Sequence, residues 1–190
     1  MDVLILYDST ATNDEGVNRL ALLLEVMDSN INVQTVALDW KKFKPCAGCF
    51  GCWVKTPGKC VITKDEANDN SRKLVNADTV ILLSRVTYGG YSPDTKAFLD
   101  RFICNISPFF MIKSHEMHHQ KRYTKYPDLV SFGYGDMTEQ EKKTFLELCE
   151  RNALNLHSRR HAAFTVCNPI EGMQAAIGLR EFFGKEVVSK

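Results

Sequence analysis

The chain has almost no net charge: 24 Lys and Arg stand against 23 Asp and Glu, leaving +1. Such a balance creates no field to gather a nucleic acid or an anionic membrane, so neither is expected as a partner. Long hydrophobic runs are also missing, since even the apolar stretch 20–27 carries Glu25. With no basic start at Met1-Asp2-Val3, neither a transmembrane helix nor a signal peptide is read, and a cytoplasmic location is expected. No repeat or linker interrupts the 190 residues, which implies one domain over 1–190 with a real core. Cysteine, by contrast, is plentiful. Seven is an odd number, and without a secretory signal it points to ligands or reduced thiols rather than a disulfide framework.

The stretch from Thr79 to Phe102 organises the rest. Val80-Ile81-Leu82-Leu83 is a compact apolar run, the mark of a strand buried on both faces. A glycine loop, Tyr88-Gly89-Gly90-Tyr91, follows, and then Phe98, Leu99, Phe102 and Ile103 recur at helical spacing. Asp94, just after Pro93, suits the helix start, where free N–H groups favour a carboxylate. Strand, glycine loop and helix is how open parallel sheets place a ligand beyond the carboxyl ends of their strands.

Val3–Leu6 reads as strand one, Val33–Leu38 as a weaker strand two near an edge, Leu129–Phe132 as strand four and Ala162–Val166 as strand five. Helices are expected between them, over 65–76, after a capping box at Thr138 and Glu141, and over 173–183. This alternation implies a parallel sheet covered on both faces. After strand one comes a loop rich in hydroxyls and amides, Asp8-Ser9-Thr10-Ala11-Thr12-Asn13, leading into a helix. It suits a phosphate, or equally a plain helix cap; Asp14 and Glu15 oppose a dianion.

Cys46, Cys49 and Cys52 form a C-x2-C-x2-C run, with Cys60 beyond it and Gly48 and Gly51 inside it. That spacing holds iron–sulfur clusters, with Cys60 as a fourth thiolate; free thiols or a zinc site are the alternatives. His115-Glu116-Met117-His118-His119 matches the H-E-x-x-H zinc hydrolase pattern, but its polar flanks offer no stripe to bury a helix, so a solvated or substrate-facing loop is expected. Cys104, Cys149 and Cys167 sit at core-like positions.

Val86-Thr87-Tyr88-Gly89-Gly90-Tyr91-Ser92 running into Lys96-Ala97-Phe98-Leu99-Asp100-Arg101 resembles the second flavin loop of the NADPH-dependent FMN reductase family, and the cysteine run resembles that of its iron–sulfur flavoproteins. The resemblance implies a flavodoxin-like three-layer α/β sandwich with a five-stranded parallel sheet in the order 2-1-3-4-5. It implies FMN as cofactor, NAD(P)H as electron donor and electron transfer to a small-molecule or protein redox partner. Ser9, Thr10, Thr12, Gly16 and Asn18 would hold the phosphate. Val86, Thr87, Tyr88, Gly89 and Gly90 would flank the ring, and Gly133, Tyr134 and Gly135 would form a third wall. A [4Fe–4S] cluster would sit on Cys46, Cys49, Cys52 and Cys60, and a homodimer or larger assembly is implied. Two positions depart from the family: Arg85 replaces a usual proline, and Asp8-Ser9-Thr10-Ala11 replaces a Gly-Ser-Pro-Arg run. The changed first loop motivates an alternative, a non-catalytic binding module that has lost its flavin.

Overall fold

The computed structural model of the chain describes residues 1–8, 20, 22–25 and 28–184. Parallel strands β1 (Asp2–Asp8), β2 (Asn32–Leu38), β3 (Thr79–Thr87), β7 (Asp128–Tyr134) and β8 (His161–Val166) form the main sheet in the spatial order β2-β1-β3-β7-β8. This is the expected 2-1-3-4-5 order, with strands one and three adjacent and the topological switch between them. β2 is indeed an edge strand, and only its last residue, Leu38, is buried.

The central strands feed two cores. Along β1, Leu4 and Leu6 pack into one and Val3 and Ile5 into the other, because alternate side chains leave opposite faces. β3 divides likewise, with Val80 and Leu82 on one face and Ile81 on the other. On the first face lie α2 (Ala67–Asn76), α3 (Pro93–Arg101) and α4 (Glu139–Asn155), represented in the core by Leu74, Phe98 and Phe145. On the second face lie helical Leu24 and, from α5 (Pro169–Gly184), Ala175, Leu179 and Phe182. The capping box at the start of α4 is present in full, Thr138 taking the Glu141 N–H and Glu141 reaching back.

Several expectations need correction. The sheet carries a sixth, short strand, β4 (Gly90–Tyr91), folded back antiparallel on the end of β3. Asp94 does stand in the first turn of α3, as expected, while the cap is Ser92, whose side chain accepts the Thr95 N–H at 3.4 Å. The Asp94 side chain takes the Trp40 N–H at 2.8 Å and ties the chain after β2 to this helix. The segment read as a solvated loop is a separate antiparallel hairpin, β5 (Ile106–Lys113) and β6 (Glu116–Lys121). Its turn residues Ser114 and His115 both have positive φ, 52° and 65°, the backbone of the tight turns that suit strand twist. Phe109, Phe110 and Ile112 supply the aromatic and β-branched content that favours strands. The H-E-x-x-H pattern therefore begins in the turn at His115 and runs on along β6. Its two histidines do not share a helix face, where positions i and i+4 rise only about 6 Å, so the zinc-hydrolase arrangement does not form.

Candidate functional site

At the carboxyl ends of β1, β3 and β7 a single buried carboxylate joins three strands. Asp8 accepts the Arg85 backbone N–H at 2.5 Å through one oxygen and the Tyr134 hydroxyl at 2.6 Å through the other. Beside it, Thr87 and Gly90 pair across a two-residue turn made by Tyr88 (φ 51°) and Gly89 (φ 75°). Tyr88 has the less comfortable conformation, since left-handed backbone crowds a Cβ, and its ring stands 93% exposed on the crest. Gly89 cannot take a side chain, because a Cβ there would lie 2.9 Å from the Thr144 Cβ on α4.

The residues predicted to flank the flavin ring and form its third wall are thus gathered at the crest, with different roles open to them. Val86 is buried and packs inward with the core, so only its backbone can face a ligand. Thr87 is exposed and Gly90 partly so. Gly133 is buried, and a Cβ on it would come within 2.6 Å of both Phe145 and Val86; it is glycine to let β7 pack against α4. Tyr134 and Gly135 (φ 108°) are half-buried, and the Arg85 side chain runs beside Gly135. Ser9, Thr10, Thr12, Gly16 and Asn18 lie outside the described residues.

The four cysteines line one cavity of about 40 Å³. Cys52 and Cys60 are buried on its inner side, while Cys46 and Cys49 stand exposed on the rim. Gly48 takes a left-handed φ of 63°, as the wrap requires, but the second such position is Phe50 (φ 54°). Gly51 is needed for contact, since its Cβ would lie 2.6 Å from Val61. A short helix, α1 (Gly51–Val54), forms between Pro45 and Pro57. Trp53 moors it by donating from Nε1 to the carbonyls of Ile103 (3.2 Å) and Ile106 (3.0 Å). Asn68 holds Cys60, accepting its N–H at 2.9 Å and donating to its carbonyl at 3.1 Å.

Burial pushes the Cys52 thiol up to about 11, and the neighbouring Cys104, Cys60 and Cys46 add to this. A thiol so raised stays protonated at neutral pH, and binding a metal there would have to displace the proton. Among the described residues no three Cys, His, Asp or Glu converge tightly enough for a single metal ion. Tetrahedral zinc needs such convergence. A cluster does not, because each thiolate meets a different iron, and the four-thiol donor set around one cavity fits it.

Arg101, the last residue of α3, closes the cavity wall. Its guanidinium is buried and meets Asp65 end-on, Nη1 to Oδ2 at 3.0 Å and Nη2 to Oδ1 at 3.2 Å. The same nitrogens donate to the carbonyls of Lys44 at 2.6 Å and Ile62 at 3.1 Å. Arg101 and Asp8 are site residues that sequence reasoning did not assign. Each carried a signal: Arg101 lies three residues after core Phe98, on the same helix face, and Asp8 directly ends a buried strand.

The family model for NADPH-dependent FMN reductases matches residues 1–124. The chain belongs to that family. It is similar to an iron–sulfur flavoprotein of Methanocaldococcus jannaschii, 36% identical over 76 residues, or 40% of this chain and 38% of that one. An iron–sulfur flavoprotein of Archaeoglobus fulgidus is 35% identical over 83 residues, 44% of this chain and 36% of that one. The matches therefore span well under two thirds of these relatives' lengths. In fold the chain is similar to the NAD(P)H:quinone oxidoreductase from Methanothermobacter marburgensis, with a TM-score of 0.68 at 12% identity over 95% of this chain and 96% of that one. The flavodoxin-like architecture expected of the family is the one observed. Cys104 and Cys149 are buried as expected, whereas Cys167 is only half-buried.

Proposed function

We propose that this family member is an FMN-dependent oxidoreductase that draws electrons from NAD(P)H and carries a [4Fe–4S] cluster on Cys46, Cys49, Cys52 and Cys60. When bound, flavin and cluster supply the electron carriage, and the protein supplies their binding, orientation and access. The observation that carries the reading is the crest at the switch point, where Asp8 fixes the ends of β1, β3 and β7 beside a tight turn of backbone amides. In this reading Ser9, Thr10, Thr12, Gly16 and Asn18 hold the phosphate. Thr87, Tyr88, Gly89 and Gly90 face the ring, and Tyr134 and Gly135 close the third side.

The cluster reading is supported by the shared cavity of the four cysteines and by the iron–sulfur flavoproteins that the chain resembles. α3 links the two sites, with Ser92 of the crest loop at its start and Arg101 of the cysteine cavity at its end. Its nine residues span about 13 Å at 1.5 Å each. A homodimer or larger assembly belongs to the reading and is supported by the exposed apolar side chains Phe109, Ile112 and Met117 on the hairpin. A monomer by light scattering counts against it.

Purified protein is expected to be yellow, absorbing near ~450 nm. A colourless preparation that also fails to bind added FMN at micromolar concentration overturns the flavin assignment in favour of a non-catalytic module. Iron and acid-labile sulfide per chain, measured after anaerobic reconstitution, test the cluster. Wild type holding no iron, or a Cys49→Ser variant holding as much as wild type, overturns it.

A further inference from the structure

An arginine has five N–H donors. Four belong to the terminal nitrogens of Arg101, and these are engaged by Asp65, Lys44 and Ile62. The fifth is Nε–H, which is buried and has no partner of hydrogen-bond geometry. A buried donor left unpaired is costly, and such groups in native proteins call for a particular explanation. Two observations locate one. Arg101 forms part of the wall of the cavity that the four cysteines line. Cys60, one of the two buried cysteines, lines that same cavity with it. The end-on grip of Asp65 on Nη1 and Nη2 leaves the Nε side of the fork free.

We propose that Arg101 is a potential-setting residue, whose Nε–H donates a hydrogen bond to a sulfur of the cluster held by Cys46, Cys49, Cys52 and Cys60. This rests on the cluster reading above. Sulfur in or around a cluster gains negative charge when the cluster is reduced, so a fixed donor and a buried cation favour the reduced form and raise its potential. Asp65 and the two carbonyls hold the guanidinium in one orientation, which gives the fifth donor a fixed direction. A lysine could keep the charge, but its mobile ammonium has no such fork.

The test uses reconstituted protein with its flavin in place. Arg101→Lys is expected to keep iron and sulfide at wild-type content while shifting the cluster's reduction equilibrium at least tenfold toward the oxidised form. For a one-electron couple that is about 59 mV downward. A staple with no bond to the cluster predicts the reverse pattern, lower stability with an unchanged potential, and that result overturns the proposal. Should Arg101→Lys fail to fold, wild type labelled with ¹⁵N-arginine decides. Pulsed electron paramagnetic resonance of the reduced cluster is expected to show an arginine ¹⁵N coupling, and its absence overturns the proposal. Wild type without iron removes the cluster reading and this inference together, whereas iron with an unchanged potential removes the inference alone.

Discussion

The two ends of α3 hold sites of opposite construction. At its start the crest is made of backbone: a tight turn, a glycine packed against α4, and strand ends fixed by Asp8. At its end the cysteine cavity is made of side chains on irregular chain, held by Trp53, Asn68 and the Arg101–Asp65 pair. A backbone site inherits the rigidity of the sheet behind it. A side-chain site has to be staked by polar contacts of its own, and those are the contacts whose loss costs most.

The largest effect is therefore expected at Asp65. Its side chain and that of Arg101 are only 5% and 1% exposed, so Asp65→Ala leaves a buried cation uncompensated. The expected loss is about 3–5 kcal/mol in chemical denaturation. Burial pushes the Asp65 carboxyl up, but hydrogen bonds and charge from Arg101 outweigh it, so its pKa falls below the ordinary 3.8. A carboxyl lowered on folding stabilises fully above its unfolded value, and that contribution disappears as pH falls through the folded value. Wild-type stability should thus drop below about pH 4, with this part of the drop absent in Asp65→Ala. A pH profile shared by both proteins would contradict the assignment.

The crest is predicted to break through packing. Gly133→Ala puts a methyl 2.6 Å from the Phe145 ring and from Val86, in a place where Phe145 is fully buried. Overpacking of this kind costs about 1–3 kcal/mol. Because Gly133 adjoins Tyr134, whose hydroxyl holds Asp8, weaker FMN binding is expected along with the lower melting temperature. A variant as stable as wild type would show that α4 can yield, and would remove packing as the reason for glycine here.

The same contrast explains what could be read from the sequence. The parallel strands were legible because runs such as Val80–Leu83 are apolar without alternation, which only a strand covered on both faces tolerates, whereas their order followed from the family resemblance. The capping box was legible because both partners lie within four residues. The β5–β6 hairpin was not, since its turn residues Ser114 and His115 carry none of the usual glycine or asparagine signal for positive φ. The cavity's cysteines announced themselves by spacing. Arg101 and Asp65, which hold them, are 36 residues apart, and no local pattern links them.

The smallest effect is predicted for the other ion pair on the same helix, and it tests whether burial is the cause. Lys96 and Asp100 meet at 2.6 Å, closer than Arg101 and Asp65, but their side chains are 60% and 48% exposed. Water already solvates both charges, salt screens them, and ordering two side chains offsets part of the attraction. The order is also the weaker one for a helix, with the cation preceding the anion by four residues. Asp100→Ala should therefore lower stability by no more than about 0.5 kcal/mol, and raising the salt concentration should erase the difference. Distance alone would rank the pairs the other way. If Asp100→Ala proved as damaging as Asp65→Ala, contact geometry rather than desolvation would govern this helix, and the buried guanidinium would lose its special place at the cysteine cavity.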